Sequence, residues 1–243
     1  MYQQLRIGTV IPALNEASTI GDVIVQLQQL EHRQQIIIDH IIVGNNGSSD
    51  NTADIARKAG AQVVDEARLG YGQACLAALA HMPTNMDIIV FIDADGSSAV
   101  SDIALLLDHI IQGADLVIGS RTQGTAEKNA LLVQQRLGNK LATWLIRLFW
   151  QYHYSDLGPL RAIRKNALQQ LNMQDTTFGW TIEMQIKALQ QQLTIKEIPV
   201  HYRCRQGGKS KISGTIQGTL RAGYVILYTI FKLRFVKSRT CNA

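Results

Sequence analysis

The chain is poor in cysteine, and the cysteines it has are scattered. Its 243 residues include three, Cys75, Cys204 and Cys241, with no CxxC pair. An odd, dispersed set excludes a disulfide framework and offers no zinc ligand cluster, so a reducing cytoplasm is the expected setting. Long apolar runs are missing too. No segment reaches the roughly 18 uncharged apolar residues of a membrane-crossing helix. The N-terminal apolar run in MYQQLRIGTVIPALNEAS is soon broken by Asn15 and Glu16, unlike the apolar core of a signal peptide. Any membrane contact is therefore expected to lie along the surface. There is no repeat long enough for a solenoid.

What is present reads as one folded body. A hydrophobic fraction of 46% with 18% charged residues is ordinary for a globular protein, and the length allows a large α/β core. The formal charge of +5, with a pI near 9.2, favours anionic partners such as nucleotides, phosphorylated compounds or an anionic membrane surface.

Short β-branched runs alternate with helical patterns through the first half. RIGTVI, HIIVG, AQVVD, DIIVFID and ADLVIGS read as strands, each followed or preceded by a longer amphipathic segment. That alternation predicts a mostly parallel sheet flanked by helices. In such sheets, ligands sit beyond the carboxyl ends of the strands, where Asn15-Glu16, Asn45-Asn46, Asp93-Asp95 and Ser120-Arg121 all fall. The polar stretch TQGTAEKNALLVQQR then reads as a mobile loop, a lid over that place. Two later segments, RLGNKLATWLIRLFWQY and GTIQGTLRAGYVILYTIFKLRFVKSR, are amphipathic with basic flanks. Each fits either a core helix or a helix lying in a bilayer interface.

In VFIDADGSS, a buried strand runs into Asp93-Ala94-Asp95. Two hard carboxylates at a sheet edge suit Mg²⁺ or Mn²⁺ on a diphosphate, and the cation would relieve their mutual repulsion. The alternative is two acids that cap the following helix. Asn15-Glu16, after Pro12, opens a helix that either caps itself or receives a phosphate or nucleoside. Arg68, Gly70 and Gly72 in RLGYG allow close backbone approach to a ligand. DLGPLRAI carries Asp156 and Arg161, and GWTIEM carries Glu183. The loop YRCRQGGKSKISG groups Arg203, Arg205, Lys209, Ser210 and Lys211, as a basic loop closing on phosphates would. Aromatic residues for stacking on bases are few there, so no nucleic-acid partner is expected.

Taken together, VIPALNE, IVGNNGSSDNT, RLGYG, DADGSS, GSR, DLGPLRAI, GWTIEM and RQGGKSKISG resemble the inverting family 2 glycosyltransferases, in particular the branch of dolichyl- and polyprenyl-phosphate sugar synthases. The resemblance runs from about Arg6 to the final helix. It implies a GT-A fold, a nucleotide-sugar donor and a divalent cation, with a catalytic domain over 1–212 and an amphipathic helix with a basic tail over 213–243. By that resemblance Pro12, Asn15, Glu16, Asn45 and the Arg68–Gly72 loop line the nucleoside pocket. Asp93 and Asp95 hold the metal, with Ala94 between them beside the donor. Arg121, Arg161, Arg205, Ser210 and Lys211 meet donor or acceptor phosphates.

One residue departs from the pattern. Members of the family usually have Asp where this chain has Asn45. Asn keeps one carbonyl acceptor and adds a donor, so it can meet a uracil N3–H and its neighbouring carbonyl but serves the two adjacent donors of guanine less well than Asp; a UDP-sugar is therefore favoured over a GDP-sugar. An alcohol acceptor would need a general base, with Glu183 as the candidate, whereas a polyprenyl phosphate arrives largely ionised, its second pKa being about 6. The expected activity is transfer to a polyprenyl phosphate by an enzyme peripheral to the cytoplasmic face of a membrane. The alternatives are a soluble acceptor, with the last helix packed on the body or on a second subunit, and a catalytically silent sugar-nucleotide-binding protein.

Overall fold

A computed structural model describes residues 4–207 and 216–235. The expected domain boundary at 212/213, Lys209, Ser210, Lys211 and the basic tail lie outside the described residues. The strands are β1 (Ile7–Ala13), β2 (His40–Asn45), β3 (Gln62–Asp65), β4 (Ile88–Phe91), β5 (Leu116–Ser120), β6 (Arg161–Arg164) and β7 (Ile195–Pro199). The helices are α1 (Ile20–Gln28), α2 (Leu30–Gln34), α3 (Thr52–Lys58), α4 (Tyr71–Ala80), α5 (Ile103–Ile111), α6 (Val133–Trp150), α7 (Lys165–Leu171), α8 (Trp180–Gln190) and α9 (Ile216–Phe235).

The sheet has the order β3-β2-β1-β4-β6-β5-β7. Every residue of β1, β4 and β5 is buried, as central strands covered on both faces must be. One core lies against α1 and α5, and the other against α4, α6, α7 and α8. The five expected strands are β1 to β5. Only β6 runs against the rest, pairing antiparallel with both β4 and β5.

That reversal matters for the site. A parallel strand delivers its last residue to the carboxyl edge, but β6 delivers its first. Arg161 therefore stands opposite Phe91, the last residue of β4, and the DLGPL segment before it reaches the same edge.

Of the stretch expected to be a mobile lid, residues 133–136 open α6, whereas 122–132 forms a long connection. It is docked: Tyr202 N–H donates to Thr125 O and Glu127 N–H to Tyr202 O, both at 2.9 Å. Helix α9 packs on α6 and α8, with the Phe149 ring 5.8 Å from Phe231 and 6.1 Å from Phe235. The core-helix reading of α6 holds only for its inner side, Ala142, Leu145 and Ile146. Its Val133, Leu137, Leu141, Trp144 and Leu148 are exposed, Trp144 to 57%, and so are Tyr224, Tyr228, Phe231 and Phe235 of α9. Among the described residues, no helix is long and apolar enough to cross a membrane.

Gly44 sets the distance between β2 and α4, because a Cβ there would lie 2.3 Å from the Ala74 carbonyl oxygen. Backbone cannot step aside cheaply in a close-packed interior. Gly44→Ala should cost about 2 kcal/mol and lower the melting temperature by about 4–8 °C, measured by calorimetry. An unchanged melting temperature would mean that the two elements pack less tightly than described.

Candidate active site

The loops after β1 and β2 are laced together. Asn15, in the left-handed region at φ 53°, receives a bond from Ser49 N–H on its side-chain oxygen at 2.7 Å and donates its own N–H to Ser48 Oγ at 2.9 Å. Glu16 N–H donates to Thr52 Oγ1 at 2.8 Å. The expectation that the residues after Pro12 cap α1 with a side chain is not met: the cap position is Thr19, which makes no side-chain capping bond and instead donates its hydroxyl to Glu16 O at 3.3 Å. Asn15 ties two loops instead. Asp50 stands just before α3 and accepts from Thr52 N–H at 3.0 Å.

The two asparagines at the end of β2 divide their work. Asn46 is fully occupied, donating to the Glu66 and Arg68 carbonyls and accepting from Gly70 N–H at 2.7 Å. It fixes the RLGYG loop. Asn45 donates to Asp65 Oδ1 at 2.6 Å, so the donor expected to meet a base carbonyl is already taken, while its buried carbonyl oxygen has no hydrogen-bond partner among the described residues. Pro12 is buried at the end of β1, in register with Gly44.

In that loop, the Arg68 side chain folds back onto Glu66, with bonds of 2.9 and 2.8 Å. Gly70 and Gly72 do mark a close backbone approach, but the partner is the chain itself. A Cβ on either would fall 2.0 Å from the carbonyl oxygens of Thr176 and Asp175, respectively. The same 175–177 segment caps α4 by accepting Gly72 and Gln73 N–H bonds at 3.1 and 2.9 Å.

Glu183 holds that segment in turn. Its buried carboxylate accepts from the backbone N–H groups of Gln174 and Asp175, the latter at 2.7 Å, and pairs with Lys187 at 2.8 Å. The residue expected as a general base is thus a tie beneath the glycine loop. A carboxylate with this set of donors is committed to structure.

At the end of β4, Tyr71 O–H donates to Asp93 Oδ1 at 3.0 Å, and the other Asp93 oxygen has no bond among the described residues. Asp95 Oδ1 accepts from Ser97 N–H and Oγ–H at 3.0 and 2.6 Å. Burial first, then the charge of Asp95, pushes Asp93 up from its usual 3.8 to about 7. Two carboxylates in this condition suit a hard divalent cation, which supplies the positive charge they lack. Among the described residues no third acidic, His or Cys ligand joins them, as suits a Mg²⁺-type site that keeps water and phosphate oxygens as its other ligands. Ala94, 2% exposed, fills the space between.

The segment after β7 runs along these acids: Arg203 N–H donates to Ser97 O and Gln206 N–H to Asp95 O. It brings Arg205 between two predicted residues, with NH1 at 2.7 Å from Glu16 Oε1 and NH2 at 3.2 Å from Asp95 Oδ2. Glu16, Asp95 and Arg205, distant in sequence, therefore meet.

The other two arginines are committed elsewhere. Arg121 forms a two-pronged pair with Asp156, both bonds at 2.8 Å, and its guanidinium lies 5.2 Å from the Tyr202 ring centre. Its charge still acts on Asp93. Arg161 is 1% exposed and donates to the carbonyls of Thr181 and Gly158. A phosphate does not reach a side chain so enclosed, so the expectation for Arg161 is corrected: it props the segments around it. A basic residue at a strand end reads alike in sequence whether it holds substrate or chain. Asp65, Tyr71 and Asp175 belong to the site region but carry no motif that singles them out.

A parallel-stranded sheet with laced nucleoside-side loops and an Asp-x-Asp pair beyond its fourth strand is the GT-A nucleotide-sugar transferase fold. Solved structures agree: glucosyl-3-phosphoglycerate synthase from Mycobacterium tuberculosis, in a complex with Mn²⁺, uridine-diphosphate and phosphoglyceric acid, superposes with a TM-score of 0.76 at 21% identity, covering 98% of this chain and 81% of that one. The family model for glycosyl transferase family 2 matches residues 9–172, and the chain belongs to that family. An uncharacterized glycosyltransferase of Mycobacterium tuberculosis is 32% identical over 89% of this chain and 94% of its own. A dolichyl-phosphate hexose transferase of Haloferax volcanii is 30% identical over 83% and 84%. A UDP-N-acetylglucosamine–dolichyl-phosphate N-acetylglucosaminyltransferase of Methanococcus voltae is 27% identical over 94% and 96%.

Because Asp93 is raised from 3.8 to about 7, its stabilising contribution is full below about pH 3.8 and is lost as the pH rises through about 7. A cation competes with that proton. Mn²⁺ affinity, measured calorimetrically, should fall roughly tenfold per pH unit below about 7. An affinity that stays flat from about pH 8 to about pH 6 would contradict a raised Asp93 acting as the ligand.

Proposed function

We propose that the chain transfers a hexosyl group, with inversion, from a UDP-sugar to a polyprenyl or dolichyl phosphate at the cytoplasmic face of a membrane. The observation that carries the lipid acceptor is the exposed apolar face of α6 and α9. Trp144, Leu148, Tyr228 and Phe231 stand out of the surface, with the exposed cations Arg136, Lys140, Arg147, Lys232 and Arg234 around them. Aromatic and aliphatic side chains bordered by Lys and Arg are what an interfacial helix presents to anionic lipid. The inner side of α6 adjoins the site: Asn139 donates to Ser155 O and accepts from Leu157 N–H, on either side of the Asp156 that holds Arg121. The dolichyl-phosphate relatives support the same reading.

On the donor side, Asn45 would meet the base, with Pro12, Asn15 and the Arg68–Gly72 loop beside it. Asp93 and Asp95 would hold Mn²⁺ or Mg²⁺, as the Mn²⁺ complex of the structural relative supports. Bound there, the cation would neutralise charge growing on the departing diphosphate. Arg205, placed between Glu16 and Asp95, is set to release one acid and turn to a phosphate when a cation arrives. Ser210 and Lys211 would add donors to the acceptor or donor phosphates. An ionised phosphate acceptor attacks without a base, which agrees with a Glu183 carboxylate already committed to the chain.

The second reading is a soluble phosphorylated acceptor, favoured by the fold shared with glucosyl-3-phosphoglycerate synthase. The two readings part in one assay. Purified protein with labelled UDP-hexoses and Mn²⁺ should move label into an organic-phase product with a short polyprenyl phosphate and give none with 3-phosphoglycerate. Trp144→Glu should reduce transfer from vesicles at least about tenfold while leaving UDP binding unchanged. Label found only in a water-soluble product would replace the lipid reading with the second.

A further inference from the structure

Asn45 is buried, at 7% exposure, and its two amide atoms are treated unequally. Nδ2 donates to Asp65 Oδ1 at 2.6 Å, and Oδ1 has no partner among the described residues. A buried carbonyl left without a donor keeps its desolvation cost uncompensated, a deficit that a ligand N–H would cancel. Asp65 is the last residue of β3 and sits directly across from Asn45 in the ladder. Arg57 NH2 holds its other oxygen at 2.7 Å.

We propose that Asp65 is the positioning residue for donor-base selection: by claiming the Asn45 amide nitrogen, it leaves the amide oxygen as the single acceptor for a pyrimidine N3–H. The inference rests on the UDP-sugar reading. An asparagine alone has no fixed polarity, since a half-turn of its amide exchanges donor for acceptor. Asp65 is an acceptor only, so it removes that freedom. The single oxygen left over meets one N–H, which matches uracil. Guanine, with two adjacent donors, would be left with one unmet.

The pair also accounts for asparagine where the family usually has aspartate. With Asp65 across the ladder, a carboxylate at position 45 would place two negative oxygens at hydrogen-bond distance, and one would have to take a proton. Asparagine donates to Asp65 and still presents one oxygen. A carboxylate there would regain its place only opposite a donor.

The test is a charge exchange read by calorimetric titration of UDP with Mn²⁺, using the full chain. Asn45→Asp should weaken UDP binding about tenfold. Adding Asp65→Asn to that variant should restore the affinity to within about threefold of the parent, because the amide introduced at position 65 then donates to the carboxylate introduced at position 45. Melting temperatures without nucleotide should stay close together, separating lost positioning from lost fold. Wild-type affinity in the Asn45→Asp single variant, or no recovery in the double variant, overturns the role of Asp65. Failure of the parent to bind UDP overturns the donor reading itself, and this inference with it.

Discussion

Three carboxylates, Glu16, Asp93 and Asp95, converge on one edge of the sheet, and the neighbouring structure is arranged to make that tolerable. Like charges in a partly desolvated place repel, and a free-energy cost accumulates unless protons, arginines or metal ions are supplied. Asp93 responds by holding its proton to about 7. Glu16 and Asp95 share Arg205, carried in by the segment that follows β7. That segment depends on Asp102, which accepts from His201 N–H and faces its Nδ1 at 3.0 Å. The unmet demand for positive charge at Asp93 and Asp95 is the property that a nucleotide-sugar enzyme uses.

The same edge shows how arginines of similar sequence context serve different ends. Arg205 sits on the acids with its side chain 25% exposed, so a ligand can compete for it. Arg121 is pinned by Asp156, itself held by Glu197 through the backbone of residues 155 and 156. Arg161 is enclosed. Beneath the glycine loop, Glu183 fixes the 174–175 backbone, and that segment fixes the start of α4. This side of the sheet edge is therefore built by loops that hold one another, with the acceptor of Asn45 left unused among the described residues.

Much of this is legible in the sequence. The first five strands show as short β-branched runs between helical patterns, and a parallel sheet then places their polar ends together. Asp93, Asp95, Asn45 and Glu16 follow from that placement. The strands β6 and β7 are not legible, because RAIR and IKEIP are four or five residues long and carry charges that blur the pattern. Nor is the reversal of β6, which is a tertiary fact and which brings Arg161 to the edge. The partners of Arg121 and Glu183 are hidden for the same reason: a charge shows its type in sequence, and only folding shows which group answers it. For α6, periodicity revealed an apolar stripe but not that the stripe faces outward.

In the proposed function, donor binding and chemistry both depend on Asp93 and Asp95 as a cation site for the diphosphate. Counting bound Mn²⁺ by electron paramagnetic resonance in the presence of UDP tests this most directly. The wild-type chain should bind one ion per molecule, with bound ion lost in both Asp93→Asn and Asp95→Asn. Undiminished Mn²⁺ binding in the two variants would contradict the account.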